Sequence, residues 1–95
     1  MTASERIVHV TIAGRVQGVG FRAFVEYEAA KRGLRGWVRN RRDGSVEAAF
    51  AGPSDVVDDM LAACRRGPRL SRVDDVKTAP ASEDIKDGFA VLPTI

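Results

Sequence analysis

The residues best suited to chemistry lie in the stretch AGRVQGVGFRAF, residues 13–24, between a predicted strand and a predicted helix. The stretch has no acidic residue, and its glycines and arginines are Gly14, Arg15, Gly18, Gly20 and Arg22. Glycines let several backbone N–H groups point into one concavity at a helix N-terminus, where anions bind readily. A cation in the first helical turn opposes the helix dipole by about 0.3–1 kcal/mol unless an anionic ligand compensates. The stretch therefore indicates a phosphate or carboxylate site, with a flexible turn carrying incidental arginines as the alternative.

The sequence near this loop offers no general acid or base. The one histidine, His9, lies in the middle of the first predicted strand, and the one cysteine, Cys64, lies in the second predicted helix. We expect no His, Asp or Glu near the loop to serve as a general base, and no metal site is predicted because metal ligands are not clustered. The glycine spacing matches neither G-x-x-x-x-G-K-[ST] nor G-x-G-x-x-G, which argues against a nucleotide P-loop and a dinucleotide-binding fold.

The loop joins the first strand to the first helix. Residues 7–13 alternate apolar and polar side chains, which predicts a strand with one buried face. From Phe21 onward, apolar side chains recur at helical spacing, and Gly33 supplies a natural stop. Glu28 is expected to reach Arg32 one helical turn later.

The remaining sequence predicts a hairpin, a second helix and two further strands. The hairpin pairs RGWVRN, residues 35–40, with the alternating residues 46–50. Residues 52–67 have apolar positions one turn apart, with helix-starting residues at one end and a glycine at the other. The last two strands are predicted over residues 71–78 and 88–92.

This order, βαββαβ plus a terminal strand, predicts an α+β fold of the ferredoxin-like type. Such a sandwich has a mainly antiparallel sheet with both helices packed on one face. We expect one domain over residues 1–95. Strands joined through a crossover helix run parallel, so the first and second strands end at the same edge of the sheet. Asn40, which ends the second strand, is therefore expected beside the glycine loop.

Composition narrows the class of protein. The chain has 95 residues, of which 44% are hydrophobic, and its 15 basic and 13 acidic residues leave a net charge of only +2. So small an excess of basic residues argues against a nucleic-acid partner. A single cysteine favours a reducing compartment, and no run of about 18 apolar residues suggests a membrane span. The beginning MTASERIVHV lacks the apolar core of a signal peptide. We expect a cytoplasmic monomer with no membrane partner.

Four segments together resemble one known family. GRVQGVGFR, followed by GWVRN, DGSVEA and a late GF, resembles the acylphosphatase family from Ile7 to about Leu92. The resemblance implies a small cytosolic hydrolase that cleaves carboxyl-phosphate bonds of small-molecule acyl phosphates. It also implies that no metal or organic cofactor takes part.

The resemblance further implies roles for individual residues. Arg22 would hold the phosphoryl group together with backbone N–H groups of the loop. These substrate-binding residues are Arg15, Val16, Gln17, Gly18, Val19 and Gly20. Asn40 would position the attacking water. Phe21 matches the family pattern. The family often has a larger residue after this arginine, where this sequence has Ala23. That departure affects the packing beside the site and not the chemistry.

An acyl phosphate is a suitable substrate for a site without an acid or a base. Its leaving group is a carboxylate whose conjugate acid has a pKa of about 4, so no protonation is needed at neutral pH. The phosphate itself can accept the proton of the water. The protein then contributes orientation and stabilisation of charge on the phosphoryl oxygens.

Two other classes of protein share parts of this pattern. The RNA-recognition motif has the same order of elements, but its third strand carries an aromatic motif that GSVEAAFA does not resemble. A non-catalytic regulatory or interaction domain could keep the anion pocket, as in the acylphosphatase-like domain of hydrogenase-maturation enzymes. This sequence shows no zinc-finger cysteines or carbamoyl-transfer region, which argues against that alternative. Turnover of acetyl phosphate distinguishes an acylphosphatase from an RNA-binding module and from a non-catalytic domain.

Overall fold

Two helices cover one face of a five-stranded sheet in the computed structural model, which describes residues 4–95. The elements are β1 (Glu5–Arg15), α1 (Phe21–Lys31), β2 (Arg35–Asn40), β3 (Val46–Pro53), α2 (Ser54–Arg66), β4 (Arg72–Pro80) and β5 (Phe89–Val91). The strand order in the sheet is β4-β1-β3-β2-β5. The predicted ferredoxin-like α+β fold is confirmed. The first three residues of the domain predicted over 1–95 lie outside the described range.

Strand direction brings the predicted site together. β3 lies between β1 and β2 and pairs antiparallel with both, so β1 and β2 run the same way and end at the same edge. β4 is antiparallel to β1, whereas the short β5 is parallel to β2. The glycine loop after β1 and Asn40 at the end of β2 are neighbours, as the crossover argument predicted.

The hydrophobic core lies between the sheet and the two helices. Its largest fully buried side chains come from both layers and include Val10, Ile12, Phe50, Val25 and Met60. Burying a side chain of this size stabilises the fold by about 1.5–3 kcal/mol relative to leaving it exposed. Phe21, which opens α1 and is only 2% exposed, joins the same core and fixes the position of the helix N-terminus.

The opposite face of the sheet carries a polar cluster centred on Glu47. This buried carboxylate accepts hydrogen bonds from Nε of Arg39 at 2.6 Å and contacts Nε2 of His9 at 2.6 Å. The Arg39 guanidinium also lies 4.8 Å from the centre of the Trp37 ring. Burial alone would raise the pKa of Glu47, but the hydrogen bonds from Arg39 and His9 outweigh it and hold that pKa below its usual range. His9 and Trp37 thus belong to the structure of the sheet.

The first strand extends further toward the loop than predicted. Gly14 and Arg15 belong to β1 and pair with β4, and the register shifts between Ala13 and Gly14. An added Cβ at Gly14 would lie 2.2 Å from the carbonyl oxygen of Arg72, so the glycine permits close contact between two strands. The expectation that Gly14 brings the backbone close to a ligand is therefore wrong for this position.

The helices agree closely with their predictions. α1 begins at Phe21, and the predicted pair forms, with Arg32 Nη1 at 2.7 Å from Glu28 Oε1. Gly33 follows α1 with φ of 69°. Neither helix of the described chain is long and apolar enough to cross a membrane. The cytoplasmic location and the monomeric state stay predictions.

Candidate functional site

A cavity of about 400 Å³ opens where β1 and β2 end and α1 begins. Its walls come from the glycine loop, the first turns of α1, the end of β2 and β5. The lining residues are Val16, Gln17, Gly18, Gly20, Phe21, Arg22, Ala23, Glu26, Asn40 and Val91. The cavity thus brings both predicted catalytic residues together with most of the predicted loop.

The backbone of the loop suits an anionic ligand. Gly18 and Gly20 have φ of 72° and 80°, and an added Cβ at either would meet no atom within 4 Å. Glycine is therefore required by the backbone conformation, and the space beside it is open. Within the described chain, no internal hydrogen bond occupies the N–H groups of residues 17–20. Together with the free N–H groups of the first turn of α1, they can donate hydrogen bonds to an anion.

Six of the eight predicted site residues line the cavity. They are Val16, Gln17, Gly18, Gly20, Arg22 and Asn40. Val19 instead packs against the hydrophobic core, and Arg15 ends β1 with an exposed side chain opposite Arg72. The role predicted for Arg15 and Val19 rests on their backbone N–H groups and stays a prediction.

Arg22 and Asn40 present unoccupied polar groups to the cavity. Arg22 is exposed, and no carboxylate of residues 4–95 lies within 4.0 Å of its guanidinium. Asn40 is half-buried, and its backbone carbonyl accepts a hydrogen bond from Ile95 N–H at 3.1 Å. No side-chain hydrogen bond within residues 4–95 engages the Asn40 amide, which is therefore available to a ligand or to water.

Gln17 connects the loop to the β2–β3 turn. Its side-chain Nε2 donates hydrogen bonds to the carbonyl oxygens of Arg41 at 2.7 Å and Ser45 at 2.9 Å. These two carbonyls flank the turn that follows Asn40. The Gln17 side chain therefore fixes the loop relative to Asn40, and its backbone remains free for an anion.

Removing this connection is expected to affect both stability and anion binding. Gln17→Met keeps the length of the side chain but loses both hydrogen bonds, which should destabilise the fold by about 1–2 kcal/mol. The loosened loop should also bind inorganic phosphate more weakly. Urea unfolding and isothermal titration calorimetry with phosphate measure the two effects.

Gln17→Glu provides the comparison for this prediction. Its carboxylate has nearly the shape of the amide but faces the two carbonyl oxygens without a proton to donate, so the loss should be larger than in Gln17→Met. If Gln17→Met kept the stability and the phosphate affinity of the parent protein, the connection would have no role in positioning the loop.

Glu26 is the site residue that sequence reasoning missed. No His, Asp or Glu was expected near the loop to serve as a general base, yet the carboxylate-bearing Glu26 lines the cavity. It follows Arg22 by four residues on α1, and residues at that spacing lie on one face of a helix. That spacing was readable in the sequence once Arg22 had been placed in the first turn.

Two other reactive side chains lie away from the cavity. His9 is engaged by Glu47 on the opposite face of the sheet. Cys64 is fully buried in α2, and burial raises the pKa of its thiol to about 12, so it stays protonated at neutral pH. Over residues 4–95, no group of three His, Cys, Asp or Glu side chains is arranged to hold a metal ion.

The fold and the cavity define the class of this protein. It is an α+β sandwich in which a glycine loop and the N-terminus of the following helix form one cavity. A family model described as acylphosphatase matches residues 8–91 of this chain. The chain belongs to the acylphosphatase family, which confirms the resemblance seen in its motifs.

Two acylphosphatases match this chain over nearly their full length, and a third, longer protein matches it over a small part of its own length. The chain is 56% identical over 98 residues to an acylphosphatase of Rhodopseudomonas palustris strain BisB18, covering 97% of this chain and 99% of that relative. It matches the crystal structure of an acylphosphatase from Bacillus subtilis with a TM-score of 0.88 and 38% identity, over 94% of this chain and 99% of the other. Full-length HypF, in a phosphate- and nucleotide-bound form, matches with a TM-score of 0.87 and 26% identity, over 99% of this chain but 13% of that chain.

Proposed function

We propose that this protein hydrolyses the carboxyl-phosphate bond of acyl phosphates to a carboxylate and inorganic phosphate. The observation that supports the proposal is that residues of the glycine loop, Arg22 and Asn40 line one and the same cavity. Membership of the acylphosphatase family supports the same reaction. The small-molecule acyl phosphate is the only partner that the proposal requires.

The phosphoryl group is held at the N-terminal end of α1. Backbone N–H groups of residues 15–20 donate to its oxygens, and Arg22 adds its guanidinium from the first turn of the helix. α1 has no acidic side chain in that turn, so no internal carboxylate competes for the same donors. The helix dipole and the arginine both favour the negative charge of the phosphoryl oxygens.

The attacking water is held by the Asn40 side chain on the other wall of the cavity. Its oxygen bonds to phosphorus as the bond from phosphorus to the acyl oxygen breaks and the carboxylate leaves. The proton of the water passes to a phosphoryl oxygen, so an acyl phosphate dianion gives a carboxylate and dihydrogen phosphate. Charge and atoms balance without a protein acid or base.

The substrate range tests this proposal. The purified protein is expected to hydrolyse acetyl phosphate and benzoyl phosphate in the presence of EDTA and to leave p-nitrophenyl phosphate nearly untouched. The carboxylate of an acyl phosphate is a better leaving group than a phenolate or an alkoxide, and the proposed mechanism uses no protein acid to assist a poorer one. Release of inorganic phosphate is measured for each compound.

The same assay, combined with melting temperatures measured in phosphate, distinguishes the enzyme from a non-catalytic anion-binding domain. Inorganic phosphate should raise the melting temperature in either case, because it binds the folded loop and not the unfolded chain. A melting temperature that rises with phosphate while acetyl phosphate stays intact would identify a regulatory or interaction domain. Activity lost on adding the chelator and restored by a divalent ion would refute the metal-independent mechanism.

A further inference from the structure

Glu26 gives the cavity a negatively charged wall beyond the phosphoryl site. It lies on α1 four residues after Arg22, which corresponds to about 6 Å along the helix axis. Ala23 on α1 and Val91 on β5 line the cavity with it. Since the proposed phosphoryl site lies at the helix N-terminus, these three residues border the space that remains for the acyl group.

Unlike its neighbour Glu28, Glu26 forms no ion pair among residues 4–95. Glu28, two residues further on the same helix, pairs with Arg32 at 2.7 Å and with Lys31 at 3.3 Å. No Lys, Arg or His nitrogen of residues 4–95 lies within 4.0 Å of the Glu26 carboxylate. Its field therefore acts on whatever occupies the cavity beside it.

We infer that Glu26 selects acyl phosphates by the charge of their acyl group. Neutral and cationic acyl groups are accepted, and acyl groups that carry a second negative charge are disfavoured. The inference rests on the proposed function and adds the class of substrate to it.

The walls around Glu26 agree with this role. Val91 is 42% exposed and gives the acyl carbon atoms an apolar surface. Ala23 contributes only a methyl group to its wall, so it leaves room for an acyl group beside Glu26. Arg22, the cation of the same cavity, is assigned to the phosphoryl group, so a carboxylate on the acyl group would meet the negative charge of Glu26, and like charges a few ångströms apart repel even in water.

Three benzoyl phosphates that differ only in charge test the inference. They are benzoyl phosphate, its 4-carboxy derivative and its 4-trimethylammonio derivative. In Glu26→Gln at low ionic strength, kcat/KM for the 4-carboxy compound relative to benzoyl phosphate should rise about three- to tenfold over the parent ratio. The ratio for the cationic compound should fall by a similar factor. Intrinsic reactivity cancels because each ratio is compared between variant and parent enzyme.

Two further variants sharpen the test. Glu26→Lys should extend both changes in the same direction. Asp84→Asn is the matched control, since it removes an exposed negative charge in the β4–β5 connection and should leave both ratios unchanged. Equal ratios in the parent, Glu26→Gln and Glu26→Lys would overturn the inference, as would equal shifts in Asp84→Asn. If the parent hydrolysed none of the three compounds, the proposed function itself would fail, which is a distinguishable result.

Discussion

Arg22→Ala is expected to lower kcat/KM for acetyl phosphate by about 10²–10⁴ and to weaken competitive inhibition by inorganic phosphate. The guanidinium can place two charge-assisted hydrogen bonds on the phosphoryl oxygens, each worth about 1.5–3 kcal/mol. It is available for this because it lines the cavity without a carboxylate partner in the described chain. Steady-state kinetics and phosphate inhibition constants measure both effects.

Two comparisons isolate the geometry of the arginine. Arg22→Lys keeps the charge but lacks the planar pair of donors, so it should lose nearly as much activity as Arg22→Ala. Arg69→Ala removes an exposed positive charge that does not line the cavity and should stay within about twofold of the parent enzyme. If Arg22→Lys were fully active, a simple positive charge would be sufficient. If phosphate inhibited Arg22→Ala as strongly as it inhibits the parent enzyme, Arg22 would not contact the phosphoryl group.

The order of elements could be predicted because local patterns and the crossover rule act together. The alternation in β1 and the helical spacing in α1 each depend on residues close in the sequence. The rule that a crossover helix joins parallel strands then places the ends of β1 and β2 at one edge, although β3 lies between them. The meeting of the loop with Asn40 follows from topology without any side-chain detail.

The ends of the strands depend on pairing partners and were less predictable. β4 continues to Pro80 because that residue pairs with Val8 of the longer β1. A proline interrupts the local pattern of a strand, yet it is tolerated here because β4 forms one edge of the sheet. Likewise Gly14 looks like a loop residue in the sequence, and its pairing with Val73 of β4 assigns it to the strand.

The side chains that organise the cavity differ in how far sequence reasoning could reach them. The Gln17 side chain was not predictable as a connection, because its partners are two backbone carbonyls whose positions depend on the β2–β3 turn. Glu26 could have been found by applying the four-residue spacing of a helix to Arg22. The prediction that no acidic residue would serve as a base near the loop was based on neighbours in the sequence. It did not take into account neighbours on the same face of the helix.

Asn40→Ala is expected to lower kcat for acetyl phosphate by about 10²–10³ while phosphate inhibition stays near the parent value. The proposed contact of Asn40 is with the attacking water, so losing it affects the reacting complex more than the binding of phosphate. The backbone of Asn40 is held independently through Ile95 and through pairing with Val46, so the variant should fold. Kinetics under saturating substrate and circular dichroism provide the measurement and its control.

The contrast between Asn40→Ala and Arg22→Ala distinguishes the two roles within one cavity. If the two walls act separately, one variant loses turnover alone and the other loses turnover together with phosphate binding. Should Asn40→Ala lose phosphate inhibition as completely as Arg22→Ala, Asn40 would be a phosphate ligand and the water would need another partner. Full turnover by Asn40→Ala would lead to the same conclusion about the water. Glu26 would then be the side chain to examine for that role, because the Gln17 amide, which also lines the cavity, is engaged by two backbone carbonyls.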